Sequence, residues 1–178
     1  INRKNNSDDK SFETKYIRSN LLRITNKTQA YRINGMHEKN TMEILSELVA
    51  IESISSDQSH QEDVMKSAQY VEQLFLELGL ETKIATSGNS RPAVLAQTAI
   101  DPQKKTVLLY AHHDVQPVGD IDKWKTEPFT PQIIDGRLYG RGSGDNKAGV
   151  VTHYEVVKAL KDNLPVNIKV FIEGEEEI

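Results

Sequence analysis

The sequence predicts an α/β domain, a mixed and largely parallel sheet flanked by helices, and three observations carry that expectation. Residues 106–114, T-V-L-L-Y-A-H-H-D, begin as an apolar run of the kind a strand buried on both faces shows, then break into two imidazoles and a carboxylate. Residues 150–160 follow helical spacing and are stopped by Pro165, after which residues 166–172 form a second apolar strand. Strand, helix and strand in this order compose a βαβ unit, whose right-handed crossover makes its two strands parallel.

The preceding elements follow in order. From Thr41, Ile44, Leu45, Leu48, Val49 and Ile51 keep helical spacing, and 53–57, S-I-S-S-D, ends the element. A longer helix follows, with Ser59 as its expected cap and Val64, Ala68, Val71, Leu74, Phe75 and Leu78 as its apolar stripe. Gly79 stands where a left-handed C-terminal cap belongs. Residues 80–85 read as a strand, Ser87-Gly88-Asn89 as a turn and residues 93–98 as the hairpin partner. After Asp114 an irregular stretch to Pro131 holds three prolines and the only Trp; loops this long in a domain are usually functional. Ile133-Ile134, the Asp135-Gly136 turn and Leu138-Tyr139 form a short hairpin, followed by G-R-G-S-G-D-N-K and, after the last strand, by E-G-E-E-E-I.

The 178 residues suit one ordinary domain, and with 37% hydrophobic but only 6% aromatic residues its core must be mostly aliphatic. A net charge of -4 gives no reason to expect nucleic acid as a partner, and no apolar run approaches the ~20 residues of a membrane-spanning helix. The absence of cysteine excludes disulfides, thiolate ligands and a thiol nucleophile, which suits a cytoplasmic location. Residues 1–35 stand apart, with eight Lys or Arg against three acids, and read as a disordered basic leader. A basic, Ser/Thr-bearing organelle-targeting peptide is the alternative, and a start at Met36 or Met42 would place the leader outside the natural protein.

Side chains alternate along a strand, so His112 and Asp114 are expected on one face and His113 on the other. The βαβ unit gathers His112, Asp114, Asp145 and Glu175 to Glu177 at the carboxyl edge of the sheet, where open α/β sheets place ligands. The Gly-rich loop is not a phosphate loop. Lys147 lacks the Gly and Ser/Thr neighbours of a Walker sequence, and Asp145 replaces the third glycine of a dinucleotide fingerprint, where it would repel a pyrophosphate. Each of these residues has a plainer alternative: Asp145 as a helix N-cap, the glutamates as a solvated turn, His112 as a satisfied polar residue at a strand end. Together, one imidazole and several carboxylates suit Zn²⁺, Mn²⁺ or Co²⁺. Asp145 has two oxygens with which to bridge a pair of ions, Asp114 is placed to hold the imidazole in its ligating tautomer, and a glutamate not spent on metal is available as a base. Lys147, Trp124, Phe129, His37, His60 and His153 are read as structural.

In order and spacing, YAHHDVQP, Trp124-x-x-x-Pro128-Phe129-x-Pro131, DGRLYGRGSGDNK and EGEEEI resemble the co-catalytic zinc exopeptidases. That family includes carnosinase-type dipeptidases, aminoacylases, carboxypeptidase G and succinyl-diaminopimelate desuccinylase. The resemblance covers residues 41–178 and implies two divalent ions, most readily Zn²⁺. It implies His112, Asp145 and Glu177 as metal ligands, Asp145 bridging, with Asp114 and Glu176 as catalytic residues. Glu176 would be the general base, and Glu175/Glu176 is the alternative register. Asp114-Val115-Gln116-Pro117 is similar to the dipeptidase branch; Ala111 departs from the Gly common there. A dipeptide or similarly small substrate is therefore expected, with deacylation of an N-acyl amino acid, or a non-catalytic truncated partner, as alternatives. The family closes its site with a further acidic ligand and a distant His and carries a lid or dimerisation domain. Residues 36–178 are thus expected to be the amino-terminal part of a catalytic domain whose parent is a homodimer.

Overall fold

The computed structural model describes residues 39–178; the leader and His37 lie outside the described residues. The first helix, α1 (Thr41–Val49), opens on a capping box: Asn40 Oδ1 accepts from the amides of Met42 and Glu43, and Glu43 returns a hydrogen bond to the Asn40 amide. The second, α2 (Gln61–Glu77), enters through a 3-10 turn at Gln58–His60. Asp57 caps that turn by accepting from the Ser59 amide, so the capping side chain is Asp57 and not the expected Ser59. Val64, Ala68, Val71, Leu74 and Phe75 are buried as their spacing predicts, and Gly79 adopts φ 86 at the helix end.

A four-stranded sheet follows in the order β1 (Glu81–Ala85), β2 (Ala93–Gln97), β6 (Asn167–Glu173), β3 (Thr106–His112). The β1-β2 hairpin is antiparallel, β2 pairs antiparallel with β6, and only β3 and β6 run parallel. The expectation of a largely parallel sheet is therefore corrected: it is mixed and mostly antiparallel. The helical crossover forces one parallel pair, whereas the short 86–92 connection turns β2 back against β1, and β2 then fills the place beside β6. Nor is β3 buried on both faces. Among the described residues it is one of the two edge strands, and Val107, Leu108 and Tyr110 keep 40%, 62% and 47% of their surface exposed.

The crossover helix is α3 (Lys147–Leu160). The core joins α1, α2 and α3 to one face of the sheet through Leu48, Phe75, Val94, Val150, Val157, Val170 and Ile172. A separate hairpin, β4 (Gln132–Ile134) and β5 (Arg137–Tyr139), turns at Asp135 and Gly136, both with positive φ as a two-residue turn of this kind requires. No helix among the described residues is long and apolar enough to cross a membrane.

Candidate metal centre and active site

Because β3 and β6 are parallel and in register, with His112 opposite Glu173, both deliver the residues that follow them to one edge of the sheet. His112 is 4% exposed there, and Asp114 is fully buried two residues on. His112 Nδ1 lies 3.3 Å from Asp114 Oδ1 and 3.2 Å from the Asp114 carbonyl, so its proton belongs on Nδ1 and Nε2 is turned outward. Nε2 meets Asp145 Oδ1 at 3.1 Å and Glu176 Oε2 at 3.8 Å. Donor atoms of His112, Glu176 and Glu177 all fall within 4.8 Å of one another.

Asp145 is not a helix cap. The residue before α3 is Asn146, whose side chain makes no capping hydrogen bond, and the Asp145 side chain, 80% exposed, faces His112. The three glutamates part company. Glu175 accepts from the Arg91 amide, Glu176 faces His112, and Glu177 accepts from Gln116 Nε2 while its own amide donates to Asp114 Oδ2.

His113 points away, as alternation requires. It is completely buried, and its Nε2–H donates to the Pro92 carbonyl at 2.8 Å. Burial pushes its pKa down to about 4, so it remains neutral. Its neighbour is the opposite case. Burial alone would lower the pKa of His112, but the hydrogen bond and charge of Asp114, with Asp145 adding to them, raise it to about 9. Burial likewise opposes ionisation of Asp114, yet the hydrogen bonds from His112, Ser55 and the Glu177 amide hold its carboxyl below the usual carboxylate range.

An imidazole nitrogen facing carboxylate oxygens needs a positive charge between them, either its own proton or a cation. The donor set of one nitrogen and several carboxylate oxygens, without sulfur, fits a hard or borderline divalent ion. Since His112 holds its proton more tightly than its ordinary value of 6.5, that interaction stabilises the metal-free chain fully below about pH 6.5 and is lost as pH rises through about 9. An ion bound at Nε2 must displace this proton. Metal uptake should therefore release a proton, and affinity should rise about tenfold per pH unit until pH about 9. Calorimetric titration with Co²⁺ in buffers of different ionisation enthalpy measures the release; affinity independent of pH over that range would place the ion elsewhere.

Several site residues carry no signal in the sequence. Ser55 donates to Asp114 Oδ2 at 2.6 Å, Ser53 donates to the His113 carbonyl at 2.7 Å, and Arg91 Nε donates to the Ser55 carbonyl at 2.8 Å. Lys147 is structural, as expected, but its partners are carbonyls and not acids: its ammonium donates to Leu48 O and Ile51 O at 2.9 and 2.7 Å, fully buried. Trp124 donates Nε1–H to the Val118 carbonyl and lies under the Arg141 guanidinium, which again is loop packing. His60 pairs with Asp63, and His153 bonds the Tyr110 carbonyl, both away from the cluster.

A βαβ unit with an imidazole and carboxylate cluster at its carboxyl edge defines the class as an α/β domain with a candidate metal site. The model of peptidase family M20/M25/M40 matches residues 108–178. The Cys-Gly metallodipeptidase DUG1 of Candida albicans is 41% identical over 153 residues, covering 76% of this chain and 32% of the relative. The Beta-Ala-His dipeptidase of Mus musculus is 48% identical over 89 residues, covering 48% of this chain and 18% of that protein. Human carnosine dipeptidase 1 superposes with a TM-score of 0.70 at 31% identity, over 88% of this chain and 35% of that structure. Over residues 108–178 the chain thus matches peptidase family M20/M25/M40, and it spans about a third of the length of these relatives or less.

Proposed function

We propose that this chain supplies one side of the active site of a metal-dependent dipeptidase, as the amino-terminal part of its catalytic domain. The observation that carries the reading is His112, tied through Nδ1 to Asp114 and turned through Nε2 onto Asp145 and Glu176, with Glu177 in the same cluster. In this reading His112, Asp145 and Glu177 would hold two divalent ions, most readily Zn²⁺, with Asp145 as the candidate for the ligand common to both. Such ions would supply Lewis acidity for the scissile carbonyl and for the attacking water. Asp114 keeps His112 in its ligating tautomer. Glu176 receives the water proton on its carboxylate and returns it to the leaving amine. The placement of Glu175 on the Arg91 amide, away from the cluster, supports the Glu176/Glu177 register.

The substrate class rests on the relatives, whose names specify Cys-Gly and β-Ala-His dipeptides. The test is to read the coding sequence beyond the Ile178 codon and to assay the whole protein on both dipeptides and on an N-acetyl amino acid. Dipeptide cleavage that chelation abolishes and Zn²⁺ restores is the expected result. Preference for the acetylated substrate would make it a deacylase, and loss of every activity despite bound metal would make it a non-catalytic partner.

A further inference from the structure

Resting on the reading of His112 as a ligand, we propose that Ser55 is a positioning residue of the site: its hydroxyl sets the rotation of the Asp114 carboxylate, and through it the direction of the His112 ring. Asp114 is fully buried and joins three parts of the chain. Its Oδ1 faces His112 Nδ1 at a long 3.3 Å and has no second partner among the described residues. The plane of the carboxylate is therefore fixed from the other oxygen, where Oδ2 accepts from Ser55 Oγ at 2.6 Å and from the Glu177 amide at 2.9 Å. One donor alone would fix a distance. Two donors from different directions fix a rotation, and Ser55 is the one that belongs to neither β3 nor the β6 end.

Ser55 is itself held on all sides. Residue 54 bridges Val115, the Val115 amide donates to the Ser53 carbonyl at 3.0 Å, and Ser53 Oγ donates to the His113 carbonyl. Arg91 Nε anchors the Ser55 carbonyl. Upstream, Lys147 clamps the carbonyls of Leu48 and Ile51, so the residue two places after Asp145 holds the turn that leads to Ser55. At 1% exposure the Ser55 hydroxyl is closed to substrate, which leaves it no role as a nucleophile. Supporting partners of this kind typically change metal affinity 10- to 100-fold when removed.

The test compares Ser55→Ala, Ser55→Thr and His112→Ala in this chain by two readouts. Without metal, proton NMR follows the downfield His112 Nδ1–H resonance. It should be sharp in the unaltered chain and in Ser55→Thr, and broadened by exchange in Ser55→Ala, whose circular dichroism shows that it remains folded. With Co²⁺ as probe, Ser55→Ala should bind about 10- to 100-fold more weakly, and Ser55→Thr should restore binding to within a few-fold. A Ser55→Ala chain that keeps the sharp resonance overturns the proposal. So does one that keeps Co²⁺ affinity within twofold while His112→Ala abolishes it. If His112→Ala binds Co²⁺ undiminished, the metal reading has failed instead, and the NMR result, which needs no metal, judges Ser55 by itself.

Discussion

Glu176→Gln in the whole protein should lower kcat for dipeptide hydrolysis by roughly 10²- to 10⁴-fold and leave metal content unchanged. The expectation comes from how the three consecutive glutamates divide their contacts. Glu175 is engaged by the Arg91 amide, and Glu177 is tied twice, through its amide to Asp114 and through its carboxylate to Gln116. Glu176 has neither anchor: its side chain is 47% exposed, and its ion-pair neighbour among the described residues is His112, at 3.8 Å. A carboxylate beside the metal-type cluster yet open to solvent is free to take a proton and give it back. Glutamine keeps the shape and removes the basicity, so KM should move little. Glu175→Gln is the internal comparison and should cost less than threefold. If Glu175→Gln caused the collapse and Glu176→Gln were mild, the register of the motif would be shifted by one residue.

The elements with strong periodicity were legible. The apolar stripe of α2, the turn at Gly88, the β4-β5 hairpin and the βαβ crossover all stand where spacing and turn residues put them. Sheet composition was less so. A single strand's sequence reports how apolar its surroundings are and not which strand lies beside it, so β3 read as central although it lies at an edge. Likewise the β1-β2 hairpin and the βαβ unit were each legible, but the antiparallel junction of β2 with β6, which decides the character of the sheet, is a pairing between residues about 75 apart in sequence.

At the site, residues adjacent in sequence or on one strand were legible because geometry is local there. The alternation of His112, His113 and Asp114 gave two opposite environments, and the structure supplies them: one imidazole raised to a pKa of about 9 among carboxylates, the other lowered to about 4 in the core. Ser55, Arg91 and Gln116 were invisible for the complementary reason. Ser55 and Gln116 reach partners about 60 residues away, and Arg91 holds the Ser55 carbonyl 36 residues away; no spacing rule connects such residues. The choice between Asp145 as cap and Asp145 as site acid also needed three dimensions, since the same Asp-Asn-Lys sequence accommodates either until the neighbour of the carboxylate is known.

Gly174→Ala should destabilise the chain by about 1 to 3 kcal/mol, or more if the site cannot relax, and weaken Co²⁺ binding with it. Gly174 is buried between the end of β6 and the glutamate run, and a methyl group there would lie 2.2 Å from the Pro92 carbonyl oxygen and 2.7 Å from His113 Nε2. Neither neighbour is a flexible side-chain end. The Pro92 oxygen belongs to backbone leading into β2, and the fully buried His113 ring is hydrogen-bonded to that oxygen. Relief therefore requires either breaking the His113 hydrogen bond, which strands two buried polar groups, or displacing the chain at Gly174. The second route moves Glu175 to Glu177 with it, and the Glu177 amide would then leave Asp114. Gly144→Ala is the proper comparison because nothing lies within 4 Å of the added carbon, and it should stay within about 0.5 kcal/mol. Denaturant midpoints and Co²⁺ titration of the two variants separate the cases. If Gly174→Ala matched Gly144→Ala in both, the His113-Pro92 wall would be soft. The glutamate run would then have to be aligned by Asp114 and Gln116 alone, making Gln116→Ala the substitution that weakens the metal.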